Sequence, residues 1–435
     1  MNNSPSIKGP SFRDALRFWF KLGWISFGGT AGHIAIMHDY LVDKRKWLTN
    51  SLFFHALSLC MLLPGPEAQQ LAIYIGWKLH GKKGGIVAGT LFVLPSMLIL
   101  LILSILYVKY GALPVIMAML TSLKPAVIAL LIAAVIKIGR KTVTSPLQMV
   151  VATLAFGGCL FYNLSLPAII AGTIILALTI RCLKPSLLPA RDNQPNDEPD
   201  NPFTSPKSQA FSIKFFIRET LVFFLLWTAP LAILFLLHFA FPFWKTLVLF
   251  WTQAAVFTIG GSYTVLPFVA KYAVGNLHWL SKMQMLDGFA FAETTPGPLI
   301  IVVAYVGFLA GYHQFNHSIA LASLALLLTT YYTFLPCFLY IFLGGPIIEK
   351  THGNATLGAI LYLVTASIVG MIVNLTVYLG SDVVFSRRTP SLQPNVGAIL
   401  WTLVCLVSIL KYRIKTFYLI LASLLYGTLH YYKLF

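Results

Sequence analysis

LCMLLPGPEAQQLAIYIGW (59–77) and FAETTPGPLIIVVAYVGF (291–308) decide how this chain is read. Both are apolar stretches of about the length needed to cross ~30 Å of hydrocarbon, and both carry Pro-Gly-Pro inside them. Proline removes a backbone donor and clashes with the preceding turn, while glycine reaches dihedrals that other residues avoid. Each stretch is therefore expected to be two half-helices meeting at membrane depth, where broken backbone survives only against protein or a water-filled cavity. The half-helix that starts after each break presents free N–H groups and a positive dipole end, which suits an anion. A simple proline kink is the blander account of either site taken alone.

The two stretches are copies. SFGGTAGHIAIMHDYLVDKRKWLTN (26–50) aligns with TIGGSYTVLPFVAKYAVGNLHWLSK (258–282). Gly28–Gly29 meets Gly260–Gly261, Trp47–Leu48 meets Trp279–Leu280, and Pro64–Gly65–Pro66 meets Pro296–Gly297–Pro298, each at an offset of 232. Tyr74–Ile75–Gly76–Trp77 matches Tyr305–Val306–Gly307–Phe308 after a one-residue slip. Pro95 pairs with Pro336, and Ala126 with Ala366. Duplication of this kind sets the architecture.

Apolar runs predict about thirteen transmembrane helices: 12–37, 52–77, 84–108, 121–139, 146–162 and 166–182, then 216–240, 246–270, 284–311, 318–343, 355–380, 395–410 and 416–432. The segment 184–209 is rich in Pro, Asn, Asp and Ser and reads as a solvated linker. The expected organisation is a first repeat at 1–183, a polar linker at 184–212, an extra helix at 213–242 and a second repeat at 243–435. That extra helix has no counterpart in the first half, so it reverses the second. The fold class is an all-α polytopic membrane protein in two homologous inverted halves with helices broken at PGP. Inverted repeats are a recurrent plan of secondary transporters, with substrate near the midplane.

Composition agrees. The 435 residues are 58% hydrophobic and 10% charged, with mean hydropathy +0.80, whereas soluble domains are nearer a quarter charged. The net charge of +18 lies on residues scattered between apolar runs, with no soluble segment long enough for a basic domain. Nucleic acid is not an expected partner; the charges orient the chain in a bilayer. The N-terminus lacks a cleavable signal and is expected in the cytoplasm, with the C-terminus periplasmic or extracellular. On that reading Lys44, Arg45 and Lys46 fall outside, and Lys271 and Lys282 inside. Cys60, Cys159, Cys182, Cys337 and Cys405 lack metal or redox spacing and read as buried small hydrophobes.

Several side chains stand beside the breaks. Glu67 follows the first PGP and Glu293 precedes the second by three residues; carboxylates at membrane depth are costly and usually functional. Either could carry a proton and couple anion movement to a proton gradient, although Glu67 could equally cap its half-helix. Gln69 and Gln70 offer neutral donors to an oxyanion. Thr30 and Ser262 follow the glycine pairs, which either open the helix or let two helices pack closely. Asp287 lies nearer a helix end and reads as interfacial. Lys44–Lys46 and Lys124 could meet a substrate, or anchor at headgroup level with Trp47 and Trp279. His33 and His38 have poor spacing for one helix face and, lacking a carboxylate or cysteine partner, read as packing residues.

At FGGTAGHIAIMHDYLVDKRKWLTN, LLPGPEAQQLAIYIGW and ETTPGPLIIVVAYVGF the sequence closely resembles the chromate ion transporter family, in its long-chain type with two fused homologous domains. The resemblance covers almost the whole chain outside 184–209. It implies an inner (plasma) membrane carrier that exports chromate from the cytoplasm, driven by the proton-motive force, with sulfate as a competing or alternative oxyanion. The motif positions it implies are Gly28, Gly29, Pro64, Gly65, Pro66, Glu67, Gln69, Gln70, Glu293, Thr294, Thr295, Pro296, Gly297 and Pro298. Thr30 and His33 stand where that pattern leads one to expect proline and glutamine. No cofactor is implied, and a homodimer stays open. An anion channel and a membrane-embedded enzyme are the alternatives from other classes, the second lacking any HExxH, DDxxD or Ser/His/Asp arrangement.

Overall fold

The computed structural model describes residues 10–26, 29–188, 213–258, 264–345, 355–388 and 391–432. Gly28, Gly260 and Gly261, and most of the linker, lie outside the described residues. In the first half α1 is Phe12–Ile25, and α2 is Gly29–His38, continued by a π-helical turn Asp39–Lys44. After α3 (Asn50–Leu62), the stretch Glu67–Tyr110 is α4, and then come α5 (Pro114–Thr142), α6 (Pro146–Phe161) and α7 (Leu166–Leu183). The extra helix α8 is Ile213–Leu236. The second half runs α9 (Phe241–Phe257), α10 (Val265–Ala270) with a π-helical turn Lys271–Asn276, α11 (Lys282–Thr294), α12 (Val302–Gln314) and α13 (Ile319–Leu339) with a π-helical turn Tyr340–Gly344. It closes with α14 (Ala355–Val384), a hairpin of β1 (Phe385–Arg388) and β2 (Ser391–Pro394), α15 (Val396–Leu410) and α16 (Thr416–Tyr431). Ser11, Thr49, Ser145, Ser165, Ser281 and Ser318 start their helices by accepting a first-turn amide, the usual chemistry of these residues at an N-cap.

The apolar runs are helical over most of their described residues, but four of them turn back instead of crossing. Phe18 of α1 stacks on Tyr40 with centroids 4.2 Å apart; along one straight helix they would be about 33 Å apart. Phe250 meets Phe268 at 5.2 Å and Tyr272 at 6.4 Å, so α9 and α10 fold back likewise. Gly288 of α11 packs on the ring of Tyr305 in α12, residues that a straight helix would hold about 25 Å apart. Around the first PGP, Leu63 on one side and Tyr74 and Trp77 on the other reach the adjacent Gly344 and Gly345. The arms α1, α3, α11 and α12 have 13 or 14 residues, or roughly 20 Å, too short to span ~30 Å of hydrocarbon. Each break is thus the apex of a hairpin that stops near mid-depth.

A second reversal divides α4. His80 and Gly81 leave helical dihedrals, and the arms 67–79 and 82–110 lie side by side, with Gly76 against the Gly84 backbone. The second half repeats this: Gly307 of α12 packs on Thr329 of α13. The glycine of YIGW and YVGF is therefore there for close helix contact. Helices 82–110 and α13 are repeat equivalents, and they run antiparallel, with Gly85 on Phe342 and Gly89 on Phe338. The halves are inverted.

Contacts also fix the sides. His80 bonds the Pro10 carbonyl at 2.9 Å, and Lys82 pairs with Glu219 near the start of α8. The turn at 80–81, the beginning of α1 and the beginning of α8 share one face, here the N-terminal face. Because the first hairpin returns, Lys44, Arg45 and Lys46 come back to that face, correcting their expected position outside. Lys271 and Lys282 go to the far face, also against expectation: Lys271 donates to the Asn163 and Leu164 carbonyls in the α6–α7 turn. Six helices among the described residues are long and apolar enough to cross a membrane. Leu154, Ile175, Leu225 and Leu421 are among the large apolar residues left exposed, a surface that suits lipid and not water. Cys60, Cys337 and Cys405 are buried as expected, but Cys159 is only partly buried and Cys182 is exposed.

Candidate functional site

The hairpin apices of the two halves meet each other. The Gly65 N–H donates to the Thr258 carbonyl at 2.6 Å, and the Gly297 N–H to the Ser26 carbonyl at 2.8 Å. Ser26 and Thr258 are repeat equivalents that end α1 and α9. Each PGP therefore docks on the end of the first helix of the opposite half, and the exchange is reciprocal. Steric contacts follow the same cross. A Cβ on Gly297 would stand 2.6 Å from Ser96 Oγ, and one on Gly65 would stand 2.9 Å from Cys337 Sγ; Ser96 follows Pro95 as Cys337 follows Pro336. Gly65 has φ +123° and Gly297 φ +108°, backbone that glycine alone adopts without strain.

Every returning arm begins at these apices: α2 at Gly29, arm 67–79 at Glu67, α10 at Val265, and the short 3₁₀ turn Leu299–Ile301 that leads into α12. The first amides of a helix have no intrahelical acceptor, so the starts of returning arms stand beside each crossed contact. The ends of the ingoing arms offset part of that positive potential. Yet two of their carbonyls, Ser26 and Thr258, are already taken by the crossed bonds.

The predicted side chains divide by role. Pro64, Pro66, Pro296 and Pro298 flank the apex glycines, Pro66 and Pro298 standing as N-caps of the returning arms. Glu67 opens its arm and Glu293 sits in the last turn of α11. Both are half-buried, and neither has a hydrogen-bonding or ion-pair partner among the described residues. The glutamine donors are engaged within the protein: Gln69 Nε2 donates to the Gly89 carbonyl at 3.4 Å and Gln70 Nε2 to that of Pro64, leaving both Oε1 atoms buried and unpartnered. The hydroxyls of Thr294 and Thr295 likewise donate to the Phe291 and Ala292 carbonyls. Thr30 lies half-buried in α2. His33 is buried, with Nε2 at 2.8 Å from the same Ser26 carbonyl that accepts from Gly297, so it braces one apex. His38 does have a carboxylate neighbour, Asp43 at 3.2 Å, contrary to expectation.

Sequence reasoning missed two things. The aromatic trio Phe18, Tyr40 and Trp47 closes the first hairpin, and Phe250, Tyr272 and Trp279 repeat it at the same offset of 232. The shared offset was the signal available for it. The second is the setting of Asp287: it is 3% exposed, faces Lys124 of the first half at 3.5 Å, and accepts from the Tyr107 hydroxyl at 3.0 Å. No periodicity in either segment pairs these residues. A cavity of about 390 Å³ lies beside them, bounded by Tyr107, Leu120, Leu123, Phe291 and Thr294. A further cavity of about 900 Å³ is an apolar groove between arm 82–110, α8 and α13 that reaches Gln69.

A model of the chromate transporter family matches residues 13–178 and 245–428. The chain belongs to the chromate transporter family. The two matched regions fall one in each of the two inverted halves. The chain is 29% identical over 374 residues to a probable chromate transport protein of Synechococcus elongatus, covering 85% of each. It is 28% identical over 386 residues to a chromate transport protein of Pseudomonas aeruginosa, covering 87% of this chain and 83% of that one. A chromate transport protein of Cupriavidus metallidurans is 26% identical over 404 residues, or 93% and 89% of the two chains. No solved structure matches the chain significantly.

Proposed function

We propose that this family member is a secondary active transporter that moves chromate out of the cytoplasm under the proton-motive force, binding the oxyanion where the four hairpin apices meet. The reading rests on the crossed contacts of Gly65 with Thr258 and Gly297 with Ser26, beside which the returning arms begin. Amides without intrahelical partners, held by rigid hairpins, accept a tetrahedral dianion as helix N-termini accept phosphate. The site residues are Gly28, Gly29, Thr30, Pro64, Gly65, Pro66, Gln69 and Gln70 from the first repeat, with Gly260, Gly261, Thr294, Thr295, Pro296, Gly297 and Pro298 from the second. Glu67 and Glu293 are the proton-coupling carboxyls, one beside each PGP. Residues 1–183 and 243–435 act as the two repeats, with 184–212 as linker and 213–242 as the reversing helix.

Orientation follows from charge. With Lys44, Arg45 and Lys46 returned to the N-terminal face beside Lys78, Lys82 and Lys83, that face carries most first-half cations and is the cytoplasmic one. The membrane potential then favours export, at about 2.3 kcal/mol per elementary charge per 100 mV. Sulfate is the second substrate, since amides recognise both tetrahedral dianions alike. Chromate flux in vesicles, with pH and electrical gradients imposed separately, tests the proposal. Glu67→Gln and Glu293→Gln should insert normally and at least one should lose gradient-driven flux. Unchanged driven flux in both removes them from coupling, and non-saturating, pH-independent flux makes the protein a channel.

A further inference from the structure

We infer that Lys124 and Tyr107 form a second oxyanion station on the far side of the apices, in which the Asp287 carboxylate stands in for the anion. The inference rests on the transport reading above. Three elements build the station: Lys124 comes from α5, Tyr107 from arm 82–110 and Asp287 from α11, so both halves contribute.

A buried ion pair kept for stability is close and fully hydrogen-bonded, because only then does it offset the desolvation of both charges. This pair is neither. Lys124 Nζ lies 3.5 Å from Asp287 Oδ1, beyond the usual ~2.7–2.9 Å of a charge-assisted bond. Asp287 Oδ1 is buried without a hydrogen bond, although the residue is 3% exposed. Charges left under-satisfied at membrane depth are costly and mark function. The ammonium and the phenolic O–H that face the carboxylate are both donors and both suit an oxyanion, and the buried Tyr305 ring packs edge-on against Tyr107 at 5.5 Å. A tetrahedral dianion could meet Lys124 and Tyr107 with two of its oxygens while Asp287 swings aside. The cavity of about 390 Å³ adjoins Tyr107 and extends to Thr294, two residues before the second PGP, which links the station to the apices.

Equilibrium binding of radiolabelled sulfate and of chromate to the purified protein tests this. Asp287→Asn keeps shape and removes the competing charge, so it should bind either anion roughly tenfold more tightly than wild type. Lys124→Gln should lose binding at the station and keep it at the apices, so its stoichiometry falls from two anions per chain to one. Lys124→Gln with Asp287→Asn leaves no unpaired buried charge, so it should fold well yet still bind one anion per chain. An Asp287→Asn protein that binds no better than wild type, or a double variant restored to wild-type binding, would make the pair a structural staple and overturn the station. A wild type that binds neither anion sinks the transport reading itself.

Discussion

Alanine at Gly297 puts the crossed apices under a defined load. The backbone there has φ +108°, and holding a residue with a Cβ in left-handed backbone costs on the order of 1–3 kcal/mol. The new methyl would also stand 2.6 Å from Ser96 Oγ and 2.8 Å from Ser96 Cβ, an overlap that costs about 1–3 kcal/mol if the neighbours shift to relieve it. Together Gly297→Ala should destabilise the apex by ~2–6 kcal/mol. Because the Gly297 N–H holds the Ser26 carbonyl, the loss falls on the contact between halves. Thermal unfolding of the detergent-purified protein, run beside vesicle chromate flux, reads both stability and function. The steric share is separable. Ser96→Gly removes both overlapping atoms, leaving Phe92 O at 3.9 Å as the nearest neighbour, so the double variant should recover about 1–3 kcal/mol relative to the sum of the singles. Wild-type stability and flux in Gly297→Ala, or no recovery on adding Ser96→Gly, would refute the crossed docking.

Other expectations follow from the same geometry. Phe18→Ala and Phe250→Ala remove equivalent hairpin closures and should each cost about 3–5 kcal/mol; a large cost in one half with none in the other would contradict the structural repeat. Single cysteines replacing Lys46 and Lys271, in a cysteine-free background, should react with impermeant thiol reagents from opposite faces of sealed vesicles, and labelling from the same face would exclude the inverted hairpins. Gly307→Leu should impair folding because that position lies against Thr329, and normal unfolding temperature in this variant would show that the α12–α13 contact is loose.

Much of this was legible in the residues. Repeats at a constant offset gave the two halves, and PGP gave the breaks, because proline and glycine constrain backbone wherever they stand. What the breaks do was less legible. A broken helix and a hairpin apex have the same local sequence, and only contacts such as Phe18 on Tyr40 separate them. That ambiguity sent Lys44–Lys46 to the wrong face, since one uncounted reversal flips every loop until the next. The partners of Asp287 were illegible for a related reason: Lys124 and Tyr107 are more than 160 residues away in sequence, and no short-range pattern encodes such a meeting. Gln69 and Gln70 follow the first break in sequence, but the direction of their amides is set by the Gly89 and Pro64 carbonyls, which spacing does not reveal.

Anomalous diffraction from crystals grown with selenate, a heavier tetrahedral dianion, measures the central claim directly. The strongest anion peak should lie at the crossed apices, within hydrogen-bonding distance of the first amides of arm 67–79 and of the Leu299–Ile301 turn. Selenate bound only at the surface, with those amides meeting nothing but protein, would contradict it.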